Sequence, residues 1–296
     1  MTRIAVLGSA NMDLVVAVPR APKRGETVTG TAFGTVPGGK GANQAVAAAR
    51  AGGTVSFLGA VGDDAYGEQL RALLAGEGID VSGLVRVPGP TGTAHILVED
   101  GGENSIVVVP GANGTVRSLT DAHRECIAAA DVLLVQLELP VATVAQAASF
   151  ARGAGVRTVL TPAPVTALPD SLLADTDLLV PNQHEAAALT GLADVAAAGR
   201  ALRRHGCDVL ITLGGDGCRY VGAGDCFELP AFAVPVVDTT AAGDTFVGAL
   251  AAAGSSDLRA GVRRASAAAA LTVGRPGASV AVPYRTEIDQ FLKDHP

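Results

Sequence analysis

One stretch near the C-terminus combines residue types that could bind an anion and accept a proton. A strand-like run, Ala233 to Val237, leads into a turn of small residues, Ala241 to Gly243, and an apolar helix follows with Asp244 in its first turn. Small residues let a ligand approach the backbone, and a helix start presents unpaired N–H groups and positive dipole charge. The turn is therefore a candidate anion hole for a phosphoryl group. Asp244 would be the base that takes a proton from an attacking hydroxyl.

Asp244 also has an ordinary interpretation, because acids at helix starts commonly cap the helix without taking part in chemistry. The stretch alone favours capping. Only the remainder of the chain, with its further polar turns, shifts the balance toward a catalytic base.

A second glycine-rich turn opens a helix near the N-terminus. Gly38 to Gln44 precedes Ala45 to Ala51, whose composition predicts a helix. The turn is not a P-loop, because Lys40 is followed by Gly41 rather than Ser or Thr. Its glycines would let backbone N–H groups approach a ligand, while Lys40 and Asn43 offer side-chain donors to hydroxyl groups. By itself such a turn is weak evidence for a site.

Polar side chains also follow two apolar runs that have the character of buried strands. Asn11 and Asp13 come after Ile4 to Leu7, and Glu138 ends the run that begins at Val132. In an open α/β sheet, ligands bind beyond the carboxyl ends of the strands, so these side chains could grip sugar hydroxyls. An Asx-type turn and a solvated strand end are the ordinary alternatives.

Two further turns could face a nucleotide. Asn182 precedes a helix and Glu185 follows three residues later, which is the spacing of a capping box. The functional alternative is that both face the phosphates, with Glu185 supporting magnesium through water. The loop from Thr212 to Gly217 could lie against a nucleotide or be only a tight turn.

The elements around these turns alternate between short apolar strands and helices, which predicts βαβ units and a mainly parallel sheet of at least five strands. Segments at 14–37 and 91–110 instead have alternating polarity and turn residues, and the first is predicted to hold two strands, Leu14 to Val18 and Glu26 to Val36. They could pair into a small antiparallel sheet that acts as a lid and favours a dimer, or be only a structural excursion.

Composition excludes several classes of protein. Hydrophobic residues make up 48% of the 296 and aromatic residues only 3%, so the core must be built from Ala, Val and Leu, and no aromatic platform for bases is expected. A net charge of −7 without a basic cluster argues against nucleic acid or an anionic membrane as partner. We find neither a signal peptide nor a membrane span. Four cysteines without metal-ligand spacing favour incidental thiols and a cytoplasmic protein.

The two glycine- or alanine-rich turns, in this order and this far apart, resemble the paired signatures of the PfkB-type carbohydrate kinases. The resemblance covers essentially the whole chain. It is closest to the members that phosphorylate D-ribose, and the stretches that carry it are Gly8 to Asp13, Gly25 to Val28, Gly38 to Ala49, Gln136 to Glu138 and Thr239 to Asp244.

The resemblance implies a three-layer α/β fold, and ATP-dependent phosphorylation of D-ribose at O5. By position, Asp244 would be the base and the turn Ala241, Ala242 and Gly243 the anion hole. Sugar hydroxyls would be held by Asn11, Asp13, Gly39, Lys40, Gly41, Asn43 and Glu138. Nucleotide contacts would come from Asn182, Thr212, Gly214, Gly215, Gly217, Gly243 and Ser266.

The resemblance also implies Mg²⁺ bound with ATP and supported by Glu185, and activation by K⁺. The monovalent cation would lie near Asp238, Thr240, Thr272, Arg275 and Gly277, mostly on backbone oxygens. Residues 1–13, 38–90 and 111–296 would form the core, and 14–37 and 91–110 the lid, through which relatives dimerise.

Three residues depart from the family pattern. Ala281 stands where a serine is usual in the cation loop, and Ser266 where an asparagine is common beside the nucleotide. His95, in the lid, replaces a residue that is usually apolar.

Other functions stay open at this point. The acceptor could be 2-deoxyribose, another sugar such as a ketohexose, or a nucleoside, although the few aromatic residues offer little for stacking a base. A sugar-binding protein without activity would not need the base. An NAD-dependent oxidoreductase is remote, because no G-x-G-x-x-G follows the first strand.

Overall fold

Strands and helices alternate along most of the chain, as the sequence pattern predicts. The computed structural model describes residues 1–254 and 257–296. Its strands are β1 (Arg3–Leu7), β2 (Asn11–Val18), β3 (Ala32–Gly38), β4 (Thr54–Gly62), β5 (Leu84–Val87), β6 (Gly92–Glu99), β7 (Asn104–Val109), β8 (Val132–Val135), β9 (Arg157–Leu160), β10 (Leu178–Leu179), β11 (Asp208–Thr212), β12 (Cys218–Val221) and β13 (Cys226–Leu229). Its α-helices are α1 (Lys40–Arg50), α2 (Ala65–Gly76), α3 (Asp121–Ala129), α4 (Val141–Gly153), α5 (Asp170–Ala174), α6 (Gln183–Thr190), α7 (Val195–Arg203), α8 (Ala242–Ala253), α9 (Leu258–Val273) and α10 (Arg285–Asp294).

The large sheet has nine strands within the described chain, in the order β13-β12-β11-β10-β9-β8-β1-β4-β5. The pairs from β5 to β11 are parallel, and β12 and β13 add an antiparallel edge. All parallel strands therefore end at the same edge of the sheet, where the predicted site residues follow them. The α/β fold with a mainly parallel sheet is confirmed.

Both faces of this sheet are covered, which makes the fold three-layered. Along β1, Ile4 and Val6 pack into one core with α1, α2, α8 and α9. Ala5 and Leu7 point the other way, into a second core with α3 to α7. Burial on both faces explains why β1 is continuously apolar rather than alternating.

The two segments predicted to form the lid do pair into one four-stranded sheet, in the order β3-β2-β6-β7. Its outer pairs are antiparallel, as expected, but the central pair is parallel, with Asn11 opposite Gly92. The reason is that β2 follows β1 and β6 follows β5, and these two strands of the large sheet run in the same direction. The chain thus passes twice from the carboxyl edge of the large sheet into the second sheet, once after β1 and once after β5.

Three local predictions were wrong. Helix α1 begins at Lys40 rather than Ala45, because Gly39 alone makes the turn with φ 91°. Ala233 to Val237 is not a strand: Pro235 lacks an N–H, and the Val237 N–H bonds to the Val273 carbonyl at the end of α9. The second lid strand begins at Ala32, so 26–31 is irregular.

None of the helices in the described part of the chain is long and apolar enough to cross a membrane.

Candidate active site

The centre of the site is the Asp244 carboxylate, which lies between the first turns of α1 and α8. Asn43 donates its Nδ2–H to Asp244 Oδ2 over 3.1 Å, and Gln44 donates its Nε2–H to Asp244 Oδ1 over 3.1 Å. Asp244 is 8% exposed. Two short stretches separated by about 200 residues are thus joined by hydrogen bonds to one buried acid.

The turn before Asp244 has the backbone geometry of an open anion site. Ala241 adopts φ 58°, in the left-handed region that residues with a Cβ rarely occupy. Gly243 is exposed, and a Cβ placed on it would meet nothing within 4 Å. Within the described residues, neither the Gly243 nor the Asp244 N–H has a backbone acceptor. These N–H groups are free for a ligand.

Three more charged groups stand around Asp244. Glu138 Oε2 accepts the backbone N–H of Lys40 over 3.0 Å and the hydroxyl of Ser9. Asp13 faces Glu138, Asp244 and Lys40, which alter its pKa. The predicted site residues therefore converge around Asp244. They come from β2, from α1, from the chain after β8 and from α8.

The pKa values of two acids in this group, Asp244 and Asp13, are both raised. Burial raises the pKa of Asp244, and Lys40, Asn43 and Gln44 oppose the rise. Burial, then Glu138 and Asp244, raise the pKa of Asp13 to about 7. The same carboxylates raise the pKa of Lys40, with Asp244 the largest cause. Lys40 is therefore a firmly charged cation among acids that hold protons more tightly than usual.

Asn11 is held by a residue that the sequence did not single out. Asn113 donates its Nδ2–H to Asn11 Oδ1 over 2.7 Å, while its own Oδ1 accepts the Ala10 N–H over 3.1 Å. Both asparagines are buried. Gly92 leaves the room for them, since a Cβ there would be 2.2 Å from Asn113 Nδ2.

The predicted nucleotide residues form a neighbouring group. Asn182 and Glu185 make both hydrogen bonds of a capping box, each over 2.8 Å, so the capping interpretation is correct as far as it goes. A bridge joins Asn182 to Thr212, at the end of β11. Gly214 and Gly217 both have positive φ in the loop that follows. The chain thus presents a turn rich in exposed backbone next to α6.

Glu185 connects this group to Asp244. Burial raises the pKa of Glu185; Asp244 adds to the rise, while Asn182 and Lys40 lower it. Ser266, on α9, lies close enough to the Cys218 thiol to oppose the rise in its pKa that burial causes, and Cys218 pairs with Thr212 across β11 and β12. Ser266 therefore lies behind the nucleotide loop.

The residues predicted to hold a monovalent cation form two adjoining loops. Asp238 Oδ1 accepts the Thr240 N–H over 2.8 Å, and Asp238 Oδ2 accepts the Gly277 N–H over 2.9 Å. Thr272 is buried and donates its hydroxyl to the Ala268 carbonyl over 3.0 Å, and its Oγ1 lies 3.2 Å from Thr245 Oγ1. The Arg275 guanidinium turns away to Glu287, over 2.5 Å, so only its backbone remains for a cation.

A cavity of about 930 Å³ lies elsewhere, near the amino ends of the strands. Its lining includes Arg157, Arg263 and Arg264 and none of the predicted site residues. The site described above lies instead where loops follow the strands at the carboxyl edge of the parallel sheet.

Similarity to known proteins extends over almost the whole chain. The family model described as pfkB family carbohydrate kinase matches residues 1–285. The chain belongs to this family. A pfkB-family carbohydrate kinase is a phosphotransferase that acts on an alcohol group, which agrees with an acid beside a helix start whose N–H groups are free.

Relatives of this pfkB-family kinase match over nearly their full length. It is 40% identical to a ribokinase of Bacillus subtilis (strain 168), covering 99% of this chain and 100% of the relative. It is 35% identical to a deoxyribokinase of Salmonella typhi, covering 98% of each chain. The structure of Arabidopsis thaliana ribokinase complexed with ribose and ATP superposes with a TM-score of 0.93, at 34% identity and 99% coverage of both chains.

Some polar residues of this kinase's site escaped the sequence analysis. Gln44 contacts Asp244 directly, Gln136 contacts Gln44, and Thr161 contacts Gln44 from the end of β9. Gln136 and Thr161 each follow directly after a buried strand, which is the same signal that singled out Glu138. Asn113 carries no comparable signal, because it lies in a short 3-10 turn far from the other motifs.

Proposed function

We propose that this kinase transfers the terminal phosphoryl group of ATP to O5 of D-ribose and forms D-ribose 5-phosphate. The observation that carries the proposal is the buried Asp244 carboxylate beside free N–H groups at the start of α8. Family membership supports the reaction type. The choice of D-ribose draws on the ribokinases among the relatives. The reaction is expected in the cytoplasm, in keeping with its unpaired cysteines.

In this proposal Asp244 is the general base. Its carboxylate would accept the proton of the O5 hydroxyl as O5 attacks phosphorus, and a raised pKa brings an aspartate closer to the operating pH. The Ala241, Ala242 and Gly243 turn would receive the negative charge of the phosphoryl oxygens on its N–H groups. Lys40 adds a positive charge at the same place.

The sugar would lie between the two sheets. Asn11 and Asp13 would bind its hydroxyls from β2, and Gly39, Lys40, Gly41 and Asn43 from the start of α1, with Glu138 opposite. Gly39 lets the start of α1 lie close to Asn11 on β2, since a Cβ on Gly39 would be 2.8 Å from the Asn11 nitrogen. Asp13 can offer either a proton or a lone pair to a hydroxyl near neutral pH, because its pKa is about 7.

The nucleotide would lie along Asn182, Thr212, Gly214, Gly215 and Gly217, with Gly243 at its phosphates and Ser266 behind. Mg²⁺ would accompany it. Within the described residues no group of three acids, histidines or cysteines could hold a metal, which fits an ion kept by phosphates and water. Glu185 has one oxygen bound to the Asn182 N–H and the other available for such a water. Bound Mg²⁺ would neutralise phosphate charge.

Activation by K⁺ is the corresponding proposal for the loops that Asp238 joins. The residues fit, because Asp238 brings Thr240 and Gly277 together and leaves the backbone oxygens of Thr240, Arg275 and Gly277 as ligands of the kind K⁺ binds. Thr272 fixes the start of the second loop from the buried side. Ala281 offers no hydroxyl, so the site would rely on backbone groups.

We further propose that 14–37 and 91–110 form a lid over a core of 1–13, 38–90 and 111–296, and that the lid pairs with that of a second copy. Its sheet exposes a row of large apolar side chains, which water disfavours. These are Phe33, Ile106, Val107, Val108 and Val109, between 44% and 67% exposed. His95 is exposed on the neighbouring strand. Sedimentation of the wild type should give a dimer mass, and Val107→Lys a monomer.

A second candidate acceptor is 2-deoxyribose, favoured by the likeness to the Salmonella typhi deoxyribokinase. The two sugars differ by one hydroxyl, and selectivity then depends on whether the site's polar groups would be left unpaired. A ketohexose or a nucleoside would use the same base and anion hole.

The test is ADP release from Mg·ATP with D-ribose, 2-deoxyribose, fructose or adenosine, each in potassium and in sodium buffer. Ribose-dependent turnover that potassium raises would support the proposal. Turnover with another sugar alone would change the assigned substrate but leave Asp244 as the proposed base. Asp244→Asn should lower kcat by about 10²- to 10⁴-fold with little change in ribose affinity. Asp121→Asn, an exposed acid on α3, is the control. No turnover with any acceptor would favour a silent binder.

A further inference from the structure

A chain of buried amides leads to Asp244 through Gln44. Gln136 donates its Nε2–H to Gln44 Oε1 over 2.6 Å. Gln44 in turn donates one Nε2–H to Asp244 and the other to Thr161 Oγ1, over 3.2 Å. Gln44 is 0% and Gln136 1% exposed. All four groups come from different elements of the fold.

The direction of these hydrogen bonds is set from one end. A glutamine amide can rotate by half a turn and exchange its donor for its acceptor. If Gln44 did so, its Oε1 would face the Asp244 carboxylate and its Nε2 the donor of Gln136, and both contacts would become repulsive. The Asp244 carboxylate, which only accepts, therefore fixes Gln44 with its N–H toward the acid, and the Gln136 N–H completes this orientation by satisfying Gln44 Oε1.

Burying the Gln136 amide does not by itself stabilise the folded protein. Its Oε1 is buried and has no hydrogen-bond partner in the described part of the chain, which is unfavourable for a polar atom. The side chain fits only because residue 8 is glycine: a Cβ on Gly8 would be 2.2 Å from Gln136 Oε1. An apolar side chain of similar size would fill the space without an unpaired oxygen. What the amide adds is the hydrogen bond to Gln44.

We propose that Gln44 and Gln136 are positioning residues for the reaction, holding the Asp244 carboxylate in place through a buried relay of amide hydrogen bonds. The inference rests on the proposed role of Asp244 as base. Gln44 acts on Asp244 directly and Gln136 acts only through Gln44. Neither touches the expected sugar or phosphate.

The relay predicts how each glutamine affects the ionisation of Asp244. An N–H donor stabilises the carboxylate form, so removing it should raise the pKa of Asp244. The charged groups that face Asp244 from other elements are Lys40, Glu138, Asp13 and Glu185. These stay unchanged when a glutamine is replaced by methionine, which has a similar length and no strong donor.

The experiment compares Gln44→Met, Gln136→Met and the double variant with the wild type, and uses Gln146→Met as control. Gln146, exposed on α4, accepts the backbone N–H of Leu119 over 3.0 Å and lies away from the site. We expect Gln44→Met to lower kcat about 10-fold with ribose KM within twofold, and to move the acid limb of kcat up by about one pH unit. Gln136→Met should change both in the same direction by less.

The double variant is the decisive comparison. If Gln136 acts through Gln44, adding Gln136→Met to Gln44→Met should move the acid limb no further than Gln44→Met alone. Additive shifts, or single variants whose acid limb stays with that of the Gln146→Met control, would overturn the relay even if kcat falls. Urea unfolding of each variant separates a loss of folded protein from a loss of positioning.

A second readout does not depend on turnover. Carboxyl-carbon NMR of labelled aspartates, with Asp244 assigned by its absence in Asp244→Asn, should give a higher pKa for Asp244 in Gln44→Met than in the wild type. If the wild type fails to phosphorylate ribose, the proposed function falls while this titration still tests the relay. If ribose is phosphorylated and the Asp244 pKa is equal in wild type and Gln44→Met, only the relay falls.

Discussion

Gly248 lies against the backbone of Gln44, so closely that a Cβ on Gly248 would be 2.5 Å from the Gln44 carbonyl oxygen. The same Cβ would be 2.6 Å from the Ala47 Cβ and 2.8 Å from the Ala48 nitrogen. Gly248 is one helical turn after Asp244 on α8, and so lies on the same face of the helix. The close packing of α8 on α1 therefore sets the distance from Asp244 to the amides that bind it.

Gly248→Ala should separate the two helices, because backbone atoms rather than flexible side chains occupy the space. We expect a loss of roughly 1–3 kcal/mol in the free energy of unfolding, and a lower kcat because Asp244 moves away from Asn43 and Gln44. Urea unfolding and steady-state kinetics measure the two effects. Gly153→Ala, in α4 with nothing within 4 Å of the added Cβ, should be neutral or slightly stabilising. Equal behaviour of the two variants would contradict the packing argument.

Asn113→Ala should weaken binding of ribose but not of ATP. The variant lacks the Nδ2–H of Asn113, so Asn11 loses the partner that fixes its side chain. We expect ribose affinity to fall about 10-fold. The Ala10 N–H also loses its acceptor, at a cost of roughly 1–3 kcal/mol in stability. Calorimetric titration with ribose and the KM for ATP separate the effects. Asn104→Ala, exposed on β7, serves as the control; a parallel loss of ATP affinity would argue for general unfolding.

Asp13 should make the free enzyme less stable as pH rises. Its pKa is raised from 3.8 to about 7 in the folded protein, so between these values the folded state keeps a proton that the unfolded chain releases. Stability must then fall with rising pH across that window. Asp13→Asn should flatten this slope and raise the free energy of unfolding by roughly 1–3 kcal/mol at pH 8, with a smaller difference at pH 5.

Urea midpoints at pH 5 and pH 8 check the Asp13 prediction. Asp100→Asn, an exposed acid in the turn between β6 and β7, should keep the wild-type slope. An Asp13→Asn slope equal to that of the wild type would show that Asp13 ionises without penalty. The variant should also bind ribose less well, because it has lost an acceptor for a hydroxyl.

Asp238→Ala should remove the response to potassium. Two backbone N–H groups, those of Thr240 and Gly277, lose the carboxylate that joins their loops. The ratio of turnover in potassium to turnover in sodium should fall toward one, together with roughly 1–2 kcal/mol of stability. Asp257→Ala removes the capping acid of α9, whose carboxylate accepts the Ala260 N–H. Asp257→Ala should lower stability but keep the ratio of turnover in potassium to turnover in sodium. If both variants lost the response to potassium, the cause would be loosened structure instead.

Much of the site could be predicted because its signals are local. A glycine-rich turn before a helix, an acid in a helix's first turn and a polar residue after a buried strand each depend on a few neighbouring residues. Asp244, Lys40 and Glu138 were identified in this way, and the parallel sheet then requires that they meet. Their predicted catalytic roles await the experiments above.

Local signals misled where tertiary contacts outweighed them. The valines of 233–237 favour a strand, yet Pro235 and the bond from Val237 to the end of α9 prevent one. The start of α1 was placed too late because glycine is a weak helix former, whereas Gly41 is required by close packing: a Cβ on it would be 2.6 Å from the Ser9 nitrogen.

By itself the sequence determined the alternating fold, the family and the acid at the start of α8, because periodicity, turns and motifs are properties of neighbouring residues. Only the tertiary structure decided which amides surround that acid. Gln44, Gln136 and Thr161 are separated by up to 117 residues. Their positions in the sequence do not indicate which side chain each of them contacts. Their meeting depends on how α1 packs against β8 and α8, which is a matter of close contact at Gly8 and Gly248 rather than of local sequence.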